Sequence, residues 1–319
     1  MKRLSVLCTI LLTLAAPRVF TDGSERQVLR VPDDFATIQQ AVDAAAPGDV
    51  IMVAPGTYCE QVSITTSDLT LRAAPAVGNP AILNGACETG GFGIHSRGIS
   101  VTGVSGVEIT GFIIDGFSTG IFLYSTTESR VFGNEIRHNV YLGPSPTSPA
   151  DAAGIFLVRG SNFNEIQQNW IHDNGHLGIG LFNGNRGNLI RANWLIDNQT
   201  QYSTYAGFAC SLMLWGTTNS DNWIVENDVT NSLSVGGAGI MIGPSVQIAN
   251  VVAQNRVHAH FGPGIVVNPG SYDNVIEQNN AVGNGLNNGG VDLFDWSTSP
   301  NLWQRNLGTC SPGNAGCGD

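Results

Sequence analysis

Short runs in which apolar and variable positions alternate recur along most of the chain. Their second and fourth positions are apolar in every copy, and the copies are GIFL (120–123), GIFL (154–157), GIGL (178–181), SLML (211–214), GIMI (239–242), GIVV (264–267) and GVDL (290–293). A period of two is typical of a β-strand with one face turned inward. The third-position side chains Phe122, Phe156, Met213 and Met241 would form an apolar stripe on the outer face of these strands, which we expect to pack as core under loops or, as the alternative, to form a dimer surface.

An asparagine returns after each of these runs at a nearly regular interval. The seven copies are Asn134, Asn169, Asn193, Asn227, Asn255, Asn279 and Asn306, separated by 35, 24, 34, 28, 24 and 27 residues. An apolar residue stands three positions before each copy, and a second asparagine stands five positions before six of them. Asparagine tolerates the left-handed backbone of a tight corner, and its amide can bond the equivalent amide in the next repeat. We therefore interpret these asparagines as structural.

A fixed period of this length indicates stacked units that bury their apolar faces against one another. The segments between the runs lack a helical period, and the LxxLxL strand of leucine-rich repeats is absent. The remaining interpretation is an all-β, parallel β-helix solenoid with one coil per repeat. The handedness rule for parallel crossovers makes that solenoid right-handed.

The segment VPDDFATIQQAVDAAAPGDVIMVAPGTYCEQVSI (31–64) supplies a start for the solenoid. Phe35, Ile38 and Val42 lie on one helical face, Thr37 or Asp34 can cap that helix, and a strand is expected at 50–53. This pattern resembles the amino-terminal cap of secreted right-handed β-helix repeat proteins of the pectate-lyase and pectin-methylesterase-like superfamily. The resemblance extends over residues 31–317 and implies a carbohydrate-related function without choosing one activity.

The chain begins with the pattern of a secretory signal. Lys2 and Arg3 precede an apolar run, so residues 1–22 are expected to be removed, and no later run is long enough to span a membrane. Residues 23–319 are interpreted as one domain, with a cap at 31–64, coils at 65–308 and a tail at 309–319. We expect a secreted protein located in the periplasm, at the cell surface or outside the cell.

Charge and cysteines narrow the range of partners. The formal charge is −11, and loss of residues 1–22, with three basic residues and Asp22, takes it to −13, which excludes nucleic acid as a partner. We expect Cys59 to pair with Cys87 and Cys310 with Cys317, leaving Cys210 as a buried thiol. Such a framework fits an oxidising compartment.

Two insertions interrupt the repeat at the same corner. They cover 141–152 and 199–209, and they flank the uninterrupted coil that carries His172 and His176. Insertions in a solenoid gather on one face, which is often the binding face. The insertions are therefore expected to wall a cleft, where Tyr141, Tyr202, Tyr205 and His176 would bind substrate.

The turns between the insertions align several ionisable groups. The fifth turn position stacks His138, Asp173 and Asp197, and the fourth adds Arg137 and His172. These five residues are the predicted catalytic set, with Asp173 and Asp197 also predicted to bind Ca²⁺. For β-elimination from a uronic acid, His172, Arg137 or a loop tyrosine would be the base. For hydrolysis, the two aspartates would act as acid and base.

No complete catalytic motif of a known β-helix family is present. Lys2 is the one lysine in the chain, so the mature protein lacks a lysine base, and the aspartate motifs of polygalacturonases and the glutamine and aspartate motifs of pectin methylesterases are missing. The sequence therefore predicts a secreted protein that acts on or binds an extracellular polysaccharide, lyase-like if it is an enzyme. The alternative is a non-catalytic solenoid that binds a glycan or a partner protein.

Overall fold

Three long parallel sheets run through the molecule and form the walls of a solenoid. The computed structural model describes residues 26–75, 80–87, 95–141, 152–200, 210–231, 237–286 and 289–311. Within these ranges the sheets hold eleven, eight and nine strands, and they are named the first, second and third sheet in the order in which one coil visits them. Each strand pairs in parallel with the equivalent strands of neighbouring coils. The predicted all-β parallel β-helix is thus confirmed.

The strands are short, and most contain three residues on the first and second sheets. The first sheet contains Val28–Val31, Val50–Val53, Thr70–Ala73, Glu108–Thr110, Arg130–Phe132, Glu165–Gln167, Leu189–Arg191, Trp223–Val225, Val251–Ala253, Val275–Glu277 and Leu302–Gln304. The second contains Gly56–Tyr58, Ala81–Asn84, Ile113–Asp115, Glu135–Arg137, Trp170–His172, Trp194–Ile196, Asp228–Thr230 and Arg256–His258. The third contains Val62–Ile64, Arg97–Thr102, Thr119–Tyr124, Ala153–Val158, Leu177–Phe182, Cys210–Trp215, Ala238–Ile242, Ile265–Val267 and Leu293–Asp295. A small extra sheet pairs Asn219–Ser220 with Gln247–Ile248.

Each coil sends one apolar residue or more from every strand into a common interior. In the coil that contains Asn169, Ile166 comes from the first sheet, Ile171 from the second and Ile179 from the third, and all three are fully buried. Burial of such a side chain contributes about 1.5–3 kcal/mol. The alternating pattern of the sequence therefore places the core as predicted.

The corners differ from their predicted geometry in one respect. The left-handed residue is the one before the ladder asparagine, as at Gln168 (φ 53°) before Asn169 and Ala192 (φ 53°) before Asn193. The asparagine itself points inward and is fully buried, and the Nδ2 of Asn169 donates to Asn193 Oδ1 at 3.0 Å and to Val131 O at 2.9 Å. Its contribution is therefore the amide ladder, while the turn is made by its neighbour.

Similar ladders line the other corners. One runs through Ser129, Asn164 and Asn188 ahead of the first sheet, where Asn164 Nδ2 donates to Asn188 Oδ1 at 3.0 Å. Another follows the second sheet, where Asn139 Nδ2 donates to Asn174 Oδ1 at 2.8 Å. These ladders satisfy buried corner amides and carbonyls that the strands leave unpaired.

The glycine that opens most of the alternating runs is required by close packing between coils. A Cβ at Gly154 would lie 2.6 Å from Ile171 Cγ2 and 2.7 Å from Gly178 O. The same column contains Gly120, Gly178 and Gly239, which face equivalent atoms in their own coils. Only the smallest residues fit where the third sheet begins.

The first coil is closed by the predicted helix, which covers Ile38–Ala44. Thr37 is its N-cap and accepts from Gln40 N, whereas the alternative cap Asp34 accepts from Arg30 N. Glu60, from the first coil, accepts from the first two backbone N–H groups of the helix at 2.9 Å. A carboxylate at this end also complements the helix dipole.

The third-position side chains Phe122, Phe156, Met213 and Met241 are buried and form a second apolar cluster with Cys210, as expected for core packing rather than for a dimer surface. The predicted position of the last strand was wrong. Leu293–Asp295 lies two residues later than the GVDL run predicted, because Leu293 pairs with Ile265. Asp292 precedes this strand and accepts from Asn284 N and Thr309 N.

The cysteines follow the prediction where they are described. Cys59 and Cys87 form a disulfide, and Cys210 is a fully buried thiol whose pKa is raised by burial. Cys310 is also disulfide-bonded, although its predicted partner Cys317 lies outside the described residues. The predicted signal at 1–22 lies outside them too.

Candidate functional site

The outward side chains of the second sheet form a continuous surface. We define the second-sheet face as these side chains together with the exposed corner residues that follow the strands. Register places Glu135, Trp170, Trp194 and Asp228 in one column along the solenoid axis. A neighbouring column contains Asp115, Arg137, His172, Ile196, Thr230 and His258.

The corner after the second sheet determines how the predicted histidine and aspartates are presented. His138, Asp173, Asp197 and Asn231 occupy its left-handed position, with φ between 50° and 61°. Each is followed in the chain by the inward corner position, where Asn139, Asn174 and Asn198 form the ladder. The corner therefore separates an outward column of chemical groups from an inward column of structural amides.

Arg137 is the centre of a charged network on this face. Its Nε donates to Asp115 Oδ2 at 2.9 Å, and its Nη1 donates to Glu135 Oε1 at 2.5 Å. Partial burial lowers the pKa of Arg137, but the hydrogen bonds and charges of Asp115 and Glu135 outweigh it and raise the pKa overall. The guanidinium is thus fully charged and held by two carboxylates.

His172 is fixed at both ring nitrogens. Nδ1 lies 2.6 Å from Asp173 Oδ2, and Nε2 lies 3.3 Å from Glu135 Oε1. Its ring stacks on the indole of Trp170, with the centroids 4.2 Å apart, and its side chain is 11% exposed. His172 is therefore largely covered, and its ring holds two carboxylates and one aromatic ring in place.

His138 is the accessible imidazole of the network. Its Nδ1 lies 3.1 Å from Asp115 Oδ1, and its side chain is 56% exposed. The ring centroid is 6.2 Å from that of His172. A carboxylate on one ring nitrogen fixes the tautomer and leaves the other nitrogen for proton transfer, as in acid–base catalysis by histidine.

Asp197 stands one coil further along and binds a different partner, since its Oδ1 accepts from Asn231 Nδ2. Asp173 is occupied by His172, as described above. Among the described residues, no three His, Cys, Asp or Glu side chains are grouped as metal ligands. The two aspartates alone do not make a calcium cage, so the Ca²⁺ site stays a prediction and no step below depends on it.

Only two of the four predicted substrate-binding residues lie within the described residues. Tyr141 and His176 follow the corner asparagines and are buried, and Tyr141 contacts the ring of His95 at 5.9 Å between centroids. Tyr202 and Tyr205 lie outside the described residues, as do most of the two insertions. The predicted loop-walled cleft is therefore untested.

Four residues of the face were absent from the predicted set: Asp115, Glu135, Trp170 and Trp194. The two tryptophans are 46% and 50% exposed, and each directly follows a ladder asparagine. The repeated Asn-Trp pair was a usable signal, because the position after the corner asparagine points outward. Asp115 precedes the first ladder copy and needed the strand register to be placed.

A second polar group lies beyond the tryptophans. Asp228 accepts from Arg256 Nη1 at 3.0 Å and from Thr230 Oγ1 at 3.2 Å. The same hydroxyl lies 2.6 Å from His258 Nε2. The tryptophan pair is therefore flanked at both ends by carboxylates and histidines.

Comparisons with known proteins support the fold. Residues 84–229 match the family model described as right handed beta helix region. The pectate lyase Pel9A aligns at 13% identity over 91% of this chain and 78% of its own, with a TM-score of 0.54. DFA-IIIase from Arthrobacter chlorophenolicus A6 aligns at 12% identity over 91% and 87%, with a TM-score of 0.59.

The Dettilon tailspike protein aligns at 15% identity over 80% of this chain and 50% of its own, with a TM-score of 0.61. None of the curated protein sequences matches the chain. In the part of the chain that is described, no helix has the length and apolarity needed to cross a membrane. The chain folds as a right-handed parallel β-helix, and residues 84–229 match the family model for that fold.

Proposed function

We propose that this is a secreted, carbohydrate-active protein that binds an extracellular polysaccharide along the second-sheet face and acts on it there. The observation that carries the proposal is the exposed pair Trp170 and Trp194, in register on adjacent coils beside the network of Arg137, His138 and His172. Exposed aromatic rings offer flat apolar surfaces to the faces of sugars. Adjacent rungs are about 4.8 Å apart, so a chain lying along the axis would meet both rings.

The comparisons support a carbohydrate ligand without choosing it. A pectate lyase shares the fold over most of both chains. The DFA-IIIase structure contains its ligand DFA-III. Secretion is supported by the Cys59–Cys87 disulfide, since disulfides persist in oxidising compartments.

Hydrolysis is the reaction that the geometry supports best. Glu135 and Asp173 lie on opposite edges of the His172 ring, bonded to different nitrogens. Glycosidases place two carboxyl groups about 5–9.5 Å apart on either side of the scissile bond. One would protonate the glycosidic oxygen while the other accepts a proton from the attacking water. His172 would hold both carboxylates in place.

β-Elimination from a uronic acid is the second candidate. Asp115 orients the exposed His138, which could remove a ring proton, and Arg137 adjoins it as a cation for the sugar carboxylate. Arg137 would first have to leave Asp115 or Glu135, because both already bind it. Hydrolysis ranks higher because it needs no such exchange: the contacts of Glu135 and Asp173 use Oε1 and Oδ2, so the second oxygen of each carboxylate would face the substrate.

A polysaccharide panel tests the proposal, with three readouts: binding, reducing-end release, and the ultraviolet absorbance of unsaturated uronides. Reducing ends without absorbance indicate hydrolysis, and absorbance indicates elimination. Binding without either product would assign the non-catalytic glycan-binding alternative. Addition of Ca²⁺ to each reaction tests the metal prediction separately.

Variants assign the result to the face. Trp170→Ala and Trp194→Ala should each weaken binding by about 3- to 10-fold, the value of one aromatic contact. Trp223→Ala is the matched control, because Trp223 is 44% exposed but lies on the first sheet. Asp173→Asn should abolish turnover while binding remains. Equal loss of binding affinity in all three tryptophan variants, or full turnover by Asp173→Asn, would refute the assignment of the site to this face.

A further inference from the structure

The column through the two tryptophans has a carboxylate next to them on both sides, before it continues to Ile113 and Arg256. Glu135 is in register with Trp170, and Asp228 is in register with Trp194. Three rungs separate Glu135 from Asp228, which corresponds to roughly 14 Å at the usual strand spacing. A polymer stacked on both indoles would therefore pass a carboxylate as it enters and another as it leaves.

The whole second-sheet face is negatively charged. Its carboxylates are Asp115, Glu135, Asp173, Asp197 and Asp228, while its guanidinium groups are Arg137 and Arg256. With neutral histidines, five negative groups face two positive ones. The chain as a whole adds to this, since its formal charge is −11. A polymer with carboxylates would be repelled along its length.

The exposed indole rings favour a positively charged ligand. Indole rings attract cations over their faces, and a protonated amine beside both an indole and a carboxylate gains from each. A neutral sugar gains only the stacking contact. Trp170 is a good platform for this, because the His172 ring supports it at 4.2 Å and leaves the indole 46% exposed.

We propose that the ligand is a polysaccharide with free amino groups, an amino-sugar polymer stacked on Trp170 and Trp194 with its amines toward Glu135 and Asp228. This inference rests on the proposed function of the same face and adds the chemical class of the sugar. Polyuronates, which the sequence pattern first suggested, fit the face least well. The amines supply the charge complementarity that the two guanidinium groups leave unfilled.

Chitosan oligosaccharides and chitin oligosaccharides are a matched pair of probes, since they differ in whether the amine is free or acetylated. We expect the free amines to bind about 10-fold more tightly at low ionic strength, and the preference to shrink as salt screens the charges. Polygalacturonate should bind least. Trp170→Ala should weaken binding of both oligosaccharides, and that of chitosan the more, because both lose the stacking contact and only the free amines lose the cation–π contact.

Asp228→Asn tests the charge itself. It should reduce the preference for free amines several-fold and leave chitin binding unchanged. Asp221→Asn is the control, because Asp221 is an exposed aspartate paired with Arg186 at a corner ahead of the first sheet. An effect of equal size in both variants would indicate net charge alone and overturn the proposal.

Failure of the amino-sugar proposal can be distinguished from failure of the proposed polysaccharide function. If chitin and chitosan oligosaccharides bind equally well, or polygalacturonate binds more tightly, and binding still needs Trp170, the amino-sugar proposal is wrong and the polysaccharide function stands. If no glycan of any class binds, the proposed function of the face is itself refuted.

Discussion

A buried histidine in one corner ladder should make the stability of this protein fall at acidic pH, and one substitution should abolish that effect. His260 is fully buried at a position where other coils have Asn139, Asn174, Asn198 and Asn284. Its backbone N donates to Asn284 Oδ1 at 3.1 Å, and its Nε2 lies 3.1 Å from Val229 O. The imidazole therefore substitutes for the ladder amide, which elsewhere donates to the same kind of carbonyl.

Burial is the main reason why the pKa of His260 falls from 6.5 to about 4. The hydrogen bond to Val229 O raises this pKa, and the charge of His258 lowers it further. The unfolded chain therefore takes up the proton first as the pH falls. Stability contributed by the neutral ring is complete above pH 6.5 and is lost as the pH falls from 6.5 to 4. The gap between the two pKa values corresponds to about 3 kcal/mol.

His260→Asn should abolish this loss, because asparagine does not titrate and its amide can donate to Val229 O. The measurement is the free energy of unfolding in guanidinium chloride at several pH values between 7.5 and 4 for both proteins. Carboxylates titrate in both, so the difference between the two curves isolates the histidine. We expect the variant to gain about 2–3 kcal/mol relative to the parent over that window.

His138→Asn is the matched control, since it removes an exposed imidazole from a corner where Asn231 occupies the same column. That control should follow the parent curve. Parallel curves for the parent and His260→Asn would refute the assignment of a neutral, buried ring. A control that shifts as much as His260→Asn would place the acid sensitivity on the surface instead.

Three further predictions concern the frame of the solenoid. Asn169→Ala removes the acceptor of the Asn134 backbone N and one partner each of Asn134 Nδ2 and the Val131 carbonyl, so the free energy of unfolding should fall by about 3–5 kcal/mol. Gln168→Ala, on the adjacent exposed corner, should change it little, and equal losses would contradict the ladder. Gly154→Ala should destabilise by about 1–3 kcal/mol in the same assay, and unchanged stability would argue against the close approach to Gly178. Cys210 should react with thiol reagents only at the rate of unfolding, and rapid native-state labelling would contradict its burial.

The fold could be predicted because each coil repeats one local rule. Alternation in runs such as GIFL set the inward face, and the spacing of Asn169 and Asn193 set the coil length. The pattern could not show that two different residues serve each corner. Gln168 adopts the left-handed backbone conformation, and Asn169 makes the amide hydrogen bonds. Both roles suit asparagine, so composition alone does not separate them.

The candidate site was only partly predictable. The turn alignment brought Arg137, His138, His172 and Asp173 near one another, as the structure does. Asp115 was missed because its coil lacks the asparagine that marked the others, and its contact with Arg137 depends on strand register. Burial of Tyr141 and His176 depends on tertiary packing that no local pattern encodes.

At each corner, one residue makes the turn, the next makes the ladder hydrogen bonds, and the one after it points outward. Because these roles are separate, one coil can be exchanged for another. The 24-residue segment 169–192 runs from one ladder asparagine to the residue before the next, Asn193, and carries one outward tryptophan, Trp170. Duplicating that segment would add one rung, about 4.8 Å of surface, and another indole without opening any ladder. If the proposed function holds, tandem duplication would therefore lengthen the polymer-binding surface in whole rungs.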